Sequence, residues 1–203
     1  YVGWIQNHQF GSVVLSGVKK DSIVDINGAR ATSATKTVEL LHGTAIAGNS
    51  ITIGEETYSI EGSIRDTQLG DFETDFPKLI AHYKNSPYMW GGRSRYGIDC
   101  SGFSQLVYKH FGISLLRDAY QQAEGGQIVD FLSEILPGDL AFFDNEAGKI
   151  THVGVMIDHE TIIHAAGRVR VDKMDNQGIF NADLNRYTHN LRIVKRYFNL
   201  YSQ

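Results

Sequence analysis

The sequence predicts an α+β protein in two parts: a small all-β region, then a larger domain whose helices precede its antiparallel strands. Three observations lead there. All three prolines (Pro77, Pro87, Pro137) and the only cysteine, Cys100, lie beyond residue 70. Residues 1–66 are rich in Gly, Ser, Thr, Ile and Val and alternate polar with apolar side chains, the period of a strand. Beyond Phe72 apolar residues recur at helical spacing, and from Leu140 onward they form strand-like runs.

Ser50-Ile-Thr-Ile53, Gly54-Glu55 and Thr57-Tyr-Ser-Ile60 read as two strands around a tight turn, a hairpin signature. Ser22 to Ile26 followed by Asn27-Gly28 reads as another strand and turn. The region is therefore expected to be small-barrel β structure. Arg65, Asp66, Gly70 and Asp71 interrupt the apolar pattern, so a boundary is expected between Ile64 and Phe72. A first helix carries Phe76, Leu79, Ile80 and Tyr83, with Pro77 expected near a first turn, where its missing N–H costs nothing. A second helix carries Phe103, Leu106, Val107, His110 and Phe111 on one stripe, with Asp99 at the N-cap and Gly112 as the stop. Strands follow at 140–143, 152–157, 161–164, 169–171 and 191–197.

Composition narrows the function classes. A formal net charge of −4 argues against an electrostatic nucleic-acid binder. The longest apolar run, Val153 to Ile157, falls far short of the roughly 18 residues of a membrane span. One cysteine permits neither an intrachain disulfide nor a paired-cysteine metal site. The chain starts at Tyr1 rather than Met, so the lack of a leader says nothing about compartment.

Asp99-Cys100-Ser101-Gly102 opens the second helix. A cysteine in a first helical turn feels the positive end of the helix dipole and unpaired backbone N–H groups. Both favour the thiolate, the reactive form. Gly102 is expected to leave the turn uncovered for an approaching carbonyl. Elsewhere a lone cysteine is a small apolar core residue, but a capped helix start is an unusual place for one. A cysteine nucleophile needs a histidine base and a group that orients it. Among eight histidines, His152 opens an apolar strand and His164 ends the next, 12 residues on. Adjacent antiparallel strands would bring both to one end of a sheet, where His164 could hold the ring nitrogen of His152 that faces away from Cys100. His8, His42, His82, His110, His159 and His189 are read as structural. Zinc on Cys100, His152 and His164 is the competing reading, but no HExxH motif or carboxylate at ligand spacing supports it, so no cofactor or metal is expected. Arg168 to Lys173 alternates charge with valine and reads as the wet face of a strand. Asp139 and Asp144 are assigned to turns.

Pro87-Tyr-Met-Trp-Gly-Gly92, Gly97-Ile-Asp-Cys-Ser-Gly-Phe103, Pro137-Gly-Asp-Leu140, His152-Val-Gly154 and Ile163-His164 occur in order. Together, over about residues 72–198, they resemble the NlpC-type family of papain-like cysteine peptidases, which act on bacterial cell-wall peptides. The resemblance implies a papain-like catalytic domain at 71–203, preceded by SH3-like β-barrel modules. Residues 12–70 would be the second such module, and 1–11, through Tyr1-Val-Gly-Trp4, the tail of a first.

It also implies roles: Cys100 as nucleophile, His152 as base and His164 as orienting residue. The Cys100 backbone N–H would form part of the oxyanion hole, and Tyr88 would lie near the nucleophile. Trp90 is expected to pack beneath the site. Leu116-Arg-Asp118-Ala119 with Gln121-Gln122 resembles the γ-D-glutamyl-L-diamino acid endopeptidase subgroup. These enzymes cleave after L-Ala-γ-D-Glu in peptides with a free N-terminal alanine. Asp118 would then pair with the substrate ammonium, Asp99 and Ser101 would flank the same pocket, and Tyr1 would form part of its wall. Some relatives carry Ser where this chain has Ala119.

The function implied is hydrolysis of murein peptides of the form L-Ala-γ-D-Glu-diamino acid in wall recycling or turnover. The alternatives are an amidase or acyl transferase using the same site, and a non-catalytic peptidoglycan-binding module. The resemblance implies a bacterial protein, and an unpaired cysteine leans toward the cytoplasm over the envelope.

Overall fold

The computed structural model describes residues 22–67 and 72–198. Tyr1 and the stretch 1–11 assigned to a first module lie outside them. Two compact units divide between Thr67 and Gln68.

The first unit is an antiparallel sheet. Its strands are β1 (Ser22–Thr32), β2 (Thr37–Leu40), β3 (Ala45–Ile46), β4 (Ser50–Ile53) and β5 (Glu56–Asp66). The order is β2-β1-β5-β4, with β3 also on β1. The Gly54-Glu55 hairpin joins β4 to β5, with Ile53 opposite Glu56. Asn27-Gly28 departs from the expectation. It is no turn; β1 runs through it, and the register against β5 shifts between Val24 and Ala29. Gly28 has a φ of +75°, the left-handed conformation that a bulge uses to bend a strand. Inside the bend Val24, Ala29, Ala31, Ile46, Tyr58 and Ile60 form the core.

The second unit opens with α1 (Phe72–Tyr83), then the short pair β6 (Arg93–Ser94) and β7 (Gly97–Ile98), then α2 (Cys100–His110) and α3 (Ala119–Gln122). Helix α1 starts early enough to place Pro77 past the first turn, where it removes one i→i−4 hydrogen bond. The strands follow: β8 (Gln127–Val129), β9 (Leu140–Asp144), β10 (Ile150–Met156), β11 (Thr161–Ala166), β12 (Arg168–Met174), β13 (Gly178–Asn181) and β14 (Arg186–Arg196). Their order is β13-β12-β11-β10-β9-β14-β8, and β13 also pairs with β14. That last pairing closes six strands into a ring and covers the edge that β13 would otherwise leave open. Strands β8 and β13 are too short to show a period in the sequence.

Ala141, Phe143, Met156, Ile162, Met174, Ile179 and Val194 fill the sheet interior with Ile135. Burial of such side chains stabilises a fold by about 1.5–3 kcal/mol each. Phe103, Leu106, Val107 and Phe111 bury the apolar stripe of α2, and this helix lies against β10 and β11. The N-terminus of α2 therefore meets the strands that carry His152 and His164. Among the described residues no helix is long and apolar enough to cross a membrane.

Candidate active site

Asp99 builds the start of α2. Its backbone is extended and its Oδ1 accepts from the Gly102 N–H at 2.7 Å, the expected N-cap bond. Its Oδ2 accepts from the Gly91 N–H at 2.7 Å, which ties the loop 87–92 to the helix. Arg117 then forks onto both oxygens, donating from Nη1 to Oδ1 at 3.0 Å and from Nη2 to Oδ2. Arg117 also donates to Ser101 Oγ at 2.8 Å. Burial alone would raise Asp99, but Arg117 and the two amides hold its carboxyl below the usual range.

Asp99 is thus an organiser of the site, with its lone pairs spent within the protein. The expected role as a pocket-flanking substrate ligand does not fit a carboxylate this fully engaged. Ser101, itself buried, is drawn into the same cluster. Arg117 had no signal in the sequence, because its bond to Asp99 spans 18 residues, the whole of α2 and the irregular loop after it.

Gly102 is required for a reason other than the one expected. A Cβ there would stand 2.4 Å from the Gly92 carbonyl oxygen and 2.9 Å from Asp99 Oδ1. The loop 87–92 crosses the helix start, and only glycine lets it pass so closely. That loop presents Trp90 to solvent at 84% exposure, so Trp90 does not pack beneath the site. Tyr88 is 39% exposed, and burial, Cys100 and Asp99 push its hydroxyl up, so it stays a protonated donor.

Cys100 is buried. The Val153, Ser101 and Cys100 backbone amides act on its sulfur and favour the thiolate, yet burial is the larger influence and pushes the thiol up. The expectation that the helix dipole and its unpaired amides favour the thiolate is therefore corrected: desolvation, with the Asp99 charge added, outweighs the helix N-terminus. His152 is pushed the other way, well below its ordinary value, by burial and by His164 and His189. Both shifts favour the uncharged forms, thiol and imidazole.

The register brings the histidines together. Gly154 lies opposite His164 across β10 and β11, and His152 Nε2 sits 2.8 Å from His164 Nδ1. His164 Nε2 in turn sits 2.9 Å from Asp172 Oδ2. Asp172 also accepts from Arg170 Nε at 2.6 Å and Nη2 at 2.8 Å, and Arg170 reaches Asp183 at 3.0 Å. Burial would raise Asp172, but His164 and Arg170 hold it at about 2. The stretch 168–173 is therefore not simply a wet strand face, since it carries the buried partner of His164. His164 faces Arg170 across β11 and β12, and Asp172 follows two residues on, on the same face. An in-register hairpin about Gly167 would have revealed it.

This chain of bonds fixes the tautomers. An ionised Asp172 only accepts, so His164 Nε2–H donates to it. With a single ring proton, held on Nε2, His164 accepts at Nδ1, and His152 Nε2–H donates to it. The lone pair of neutral His152 is left on Nδ1, the nitrogen away from His164.

His189, read as structural, stacks on His152 with centroids 4.1 Å apart and planes 26° from parallel. The ligand atoms of His152, His164 and His189 lie within 4.8 Å of one another. They fit a metal poorly, because two of the nitrogens already share a proton and the third ring is stacked. Imidazole lone pairs lie in the ring plane, so nearly parallel rings do not converge on one ion.

Burial first, then His164, brings His189 down from its ordinary 6.5 to about 4. The sign follows from linkage: an unfolded chain takes up protons below 6.5 that the folded one refuses. The His189 contribution is therefore expected to be level from pH 6.5 up to the range where the free thiol ionises and to fall as pH drops toward 4, and protonation of Asp172 extends the loss at lower pH. Urea midpoints against pH check this; a midpoint that rises on acidification contradicts it.

A buried cysteine at a helix start, set against a strand-borne pair of histidines on an antiparallel sheet, defines a papain-like fold. The chain belongs to the NlpC/P60 family, whose model matches residues 85–187. Over 118 residues it is 36% identical to a Bacillus subtilis γ-D-glutamyl-L-lysine dipeptidyl-peptidase, covering 57% of this chain and 40% of that one. Over 142 residues it is 33% identical to the Escherichia coli murein DD-endopeptidase MepS/murein LD-carboxypeptidase, covering 67% and 71%. A crystal structure of a Bacillus cereus NlpC/P60 family protein superposes with a TM-score of 0.67 at 21% identity, over 88% of this chain and 64% of that one. The chain thus spans less than half the length of the dipeptidyl-peptidase.

Proposed function

We propose that this protein is a cysteine endopeptidase that hydrolyses the γ-D-glutamyl–L-diamino acid bond of cell-wall peptides with a free N-terminal L-alanine. The observation that carries the reading is the His152–His164–Asp172 chain, which leaves the Nδ1 lone pair of His152 free on the strand whose next amide reaches the Cys100 sulfur. The kinship with a γ-D-glutamyl-L-lysine dipeptidyl-peptidase supports the substrate class.

In this reading His152 Nδ1 takes the Cys100 proton as the sulfur adds to the γ-D-glutamyl carbonyl. The Cys100 backbone N–H, with Tyr88 as a second donor, holds the oxyanion. The intermediate collapses with proton transfer from His152 to the leaving amine, giving a thioester. Water, deprotonated by His152, then releases L-Ala-γ-D-Glu and restores the thiol.

Asp118, half-buried just before α3, receives the alanine ammonium, and the neighbouring Arg117 is committed to Asp99 and Ser101. The buried Ala119 offers no hydroxyl for a further bond to substrate. A free amine on alanine arises only once a preceding amide hydrolysis has freed the peptide from the glycan, so the reaction belongs to wall-peptide turnover. The single unpaired thiol fits a reducing interior. The β unit of 22–66 is proposed to be an SH3-like module on the strength of its short bulged strands.

The test is product analysis by mass spectrometry on L-Ala-γ-D-Glu-diaminopimelate and its N-acetylated twin, with Cys100→Ala as control. Acetylation is expected to lower kcat/KM by roughly 10- to 150-fold, the loss of one charge-assisted contact. Equal cleavage of both would remove the Asp118 account, and cleavage of neither would point to another amide substrate.

A further inference from the structure

The strand β14 places His189 where the catalytic proposal has no use for it, and its surroundings suggest one. Its ring covers one face of His152 at 4.1 Å, while Phe143 lies tilted 5.8 Å away. His164 meets the edges of both rings, at 5.0 Å from His152 and 5.6 Å from His189. Phe143 also supports His189 at 6.0 Å, and Thr188 Oγ1 lies 2.9 Å from its Nδ1. Asp172 is the charged group that acts on it, with His164 opposing. The bond to His164 fixes one edge of His152, but a ring held at one edge can still swing about that bond. His189 blocks the swing.

We propose that His189 is a positioning residue: its ring, stacked on His152, fixes the plane of the base and supports the imidazolium that forms when His152 takes the Cys100 proton. The inference rests on the Cys100–His152 reading above. The π face of an aromatic ring attracts a cation laid against it, most strongly where water is excluded. A saturated side chain of similar size would exclude the same water without supplying that face.

The experiment compares His189→Phe with His189→Leu, both of which keep the slot filled. Cys100 is the only cysteine, so its alkylation by iodoacetamide can be followed across pH without knowing the substrate. His189→Phe is expected to keep the wild-type rate and pH profile. His189→Leu is expected to slow alkylation at pH 7 by roughly 2- to 30-fold, the range such a contact supports, and to displace the profile, which a merely structural role would not do.

If Leu reacts like wild type, no ring is needed and the proposal falls. If Phe is as slow as Leu, the imidazole acts through its nitrogens and the proposal also falls. A urea midpoint at pH 8 reports folding of both variants, and if Leu does not fold, the Phe result decides alone. A wild-type rate unchanged in His152→Ala would instead overturn the catalytic reading itself.

Discussion

Cys100→Ala is expected to abolish hydrolysis of the wall peptide, lowering kcat/KM by at least about 10⁴-fold, and His152→Ala is expected to cost nearly as much. The double variant should be no slower than either single one. In the proposed mechanism the two groups act in one event: without the thiol there is nothing for His152 to deprotonate, and without Nδ1 the thiol stays protonated. The structure gives this coupling a physical cause, because burial pushes the thiol up and the imidazole down. Both shifts disfavour a separate ionisation, which fits the proposed transfer of the proton as the sulfur adds to the carbonyl. Steady-state kinetics of the three variants checks it. Additive losses would show independent roles and contradict the mechanism.

The second large effect belongs to Asp172, through His164. Asp172→Leu leaves the buried His164 Nε2–H without its acceptor, and the proton is expected to move to Nδ1. That nitrogen faces His152 Nε2 across 2.8 Å, so His152 must then carry its own proton on Nδ1, where the thiol needs a base. A wrong tautomer of this kind costs kcat about 10²- to 10⁴-fold, with KM little changed because no substrate contact is lost.

Asp172→Asn provides the contrast. The Oδ2 position serves both His164 Nε2 and Arg170 Nε, whereas Oδ1 serves only Arg170 Nη2. An asparagine therefore places its oxygen on the His164 side and keeps the tautomer, at the expense of the Arg170 fork. Its kcat is expected to fall much less than that of the leucine variant. Equal losses would show that the charge of Asp172, and not the tautomer it selects, is what matters.

Several features were legible because their causes are local. The Asp99 cap spans three residues to Gly102, the apolar stripe of α2 repeats every three or four, and the hairpin at Gly54-Glu55 needs only its own turn. Each rests on interactions between near neighbours, so residue type and spacing suffice. The ordered motifs from Pro87 to His164 likewise placed Cys100, His152 and His164, and the register of β10 and β11 brings the two histidines within a hydrogen bond.

The misreadings share the opposite character. Asp172 looked like one charge of an alternating strand, and its burial depends on the β11–β12 register. His189 looked like a spare histidine, and its stacking on His152 depends on a strand that returns to the sheet from some 37 residues away in sequence, a long-range pairing that periodicity cannot see. Trp90 looked like core because it is aromatic, but the loop that carries it is pinned through Gly91 to Asp99 and turns the ring outward. By itself the sequence determined the helix start, the reactive residue types and their order along the chain. The tertiary structure decided which buried groups surround them, and so the proton positions and the charge states. Those depend on desolvation and on partners brought together by strand register, which no local pattern encodes.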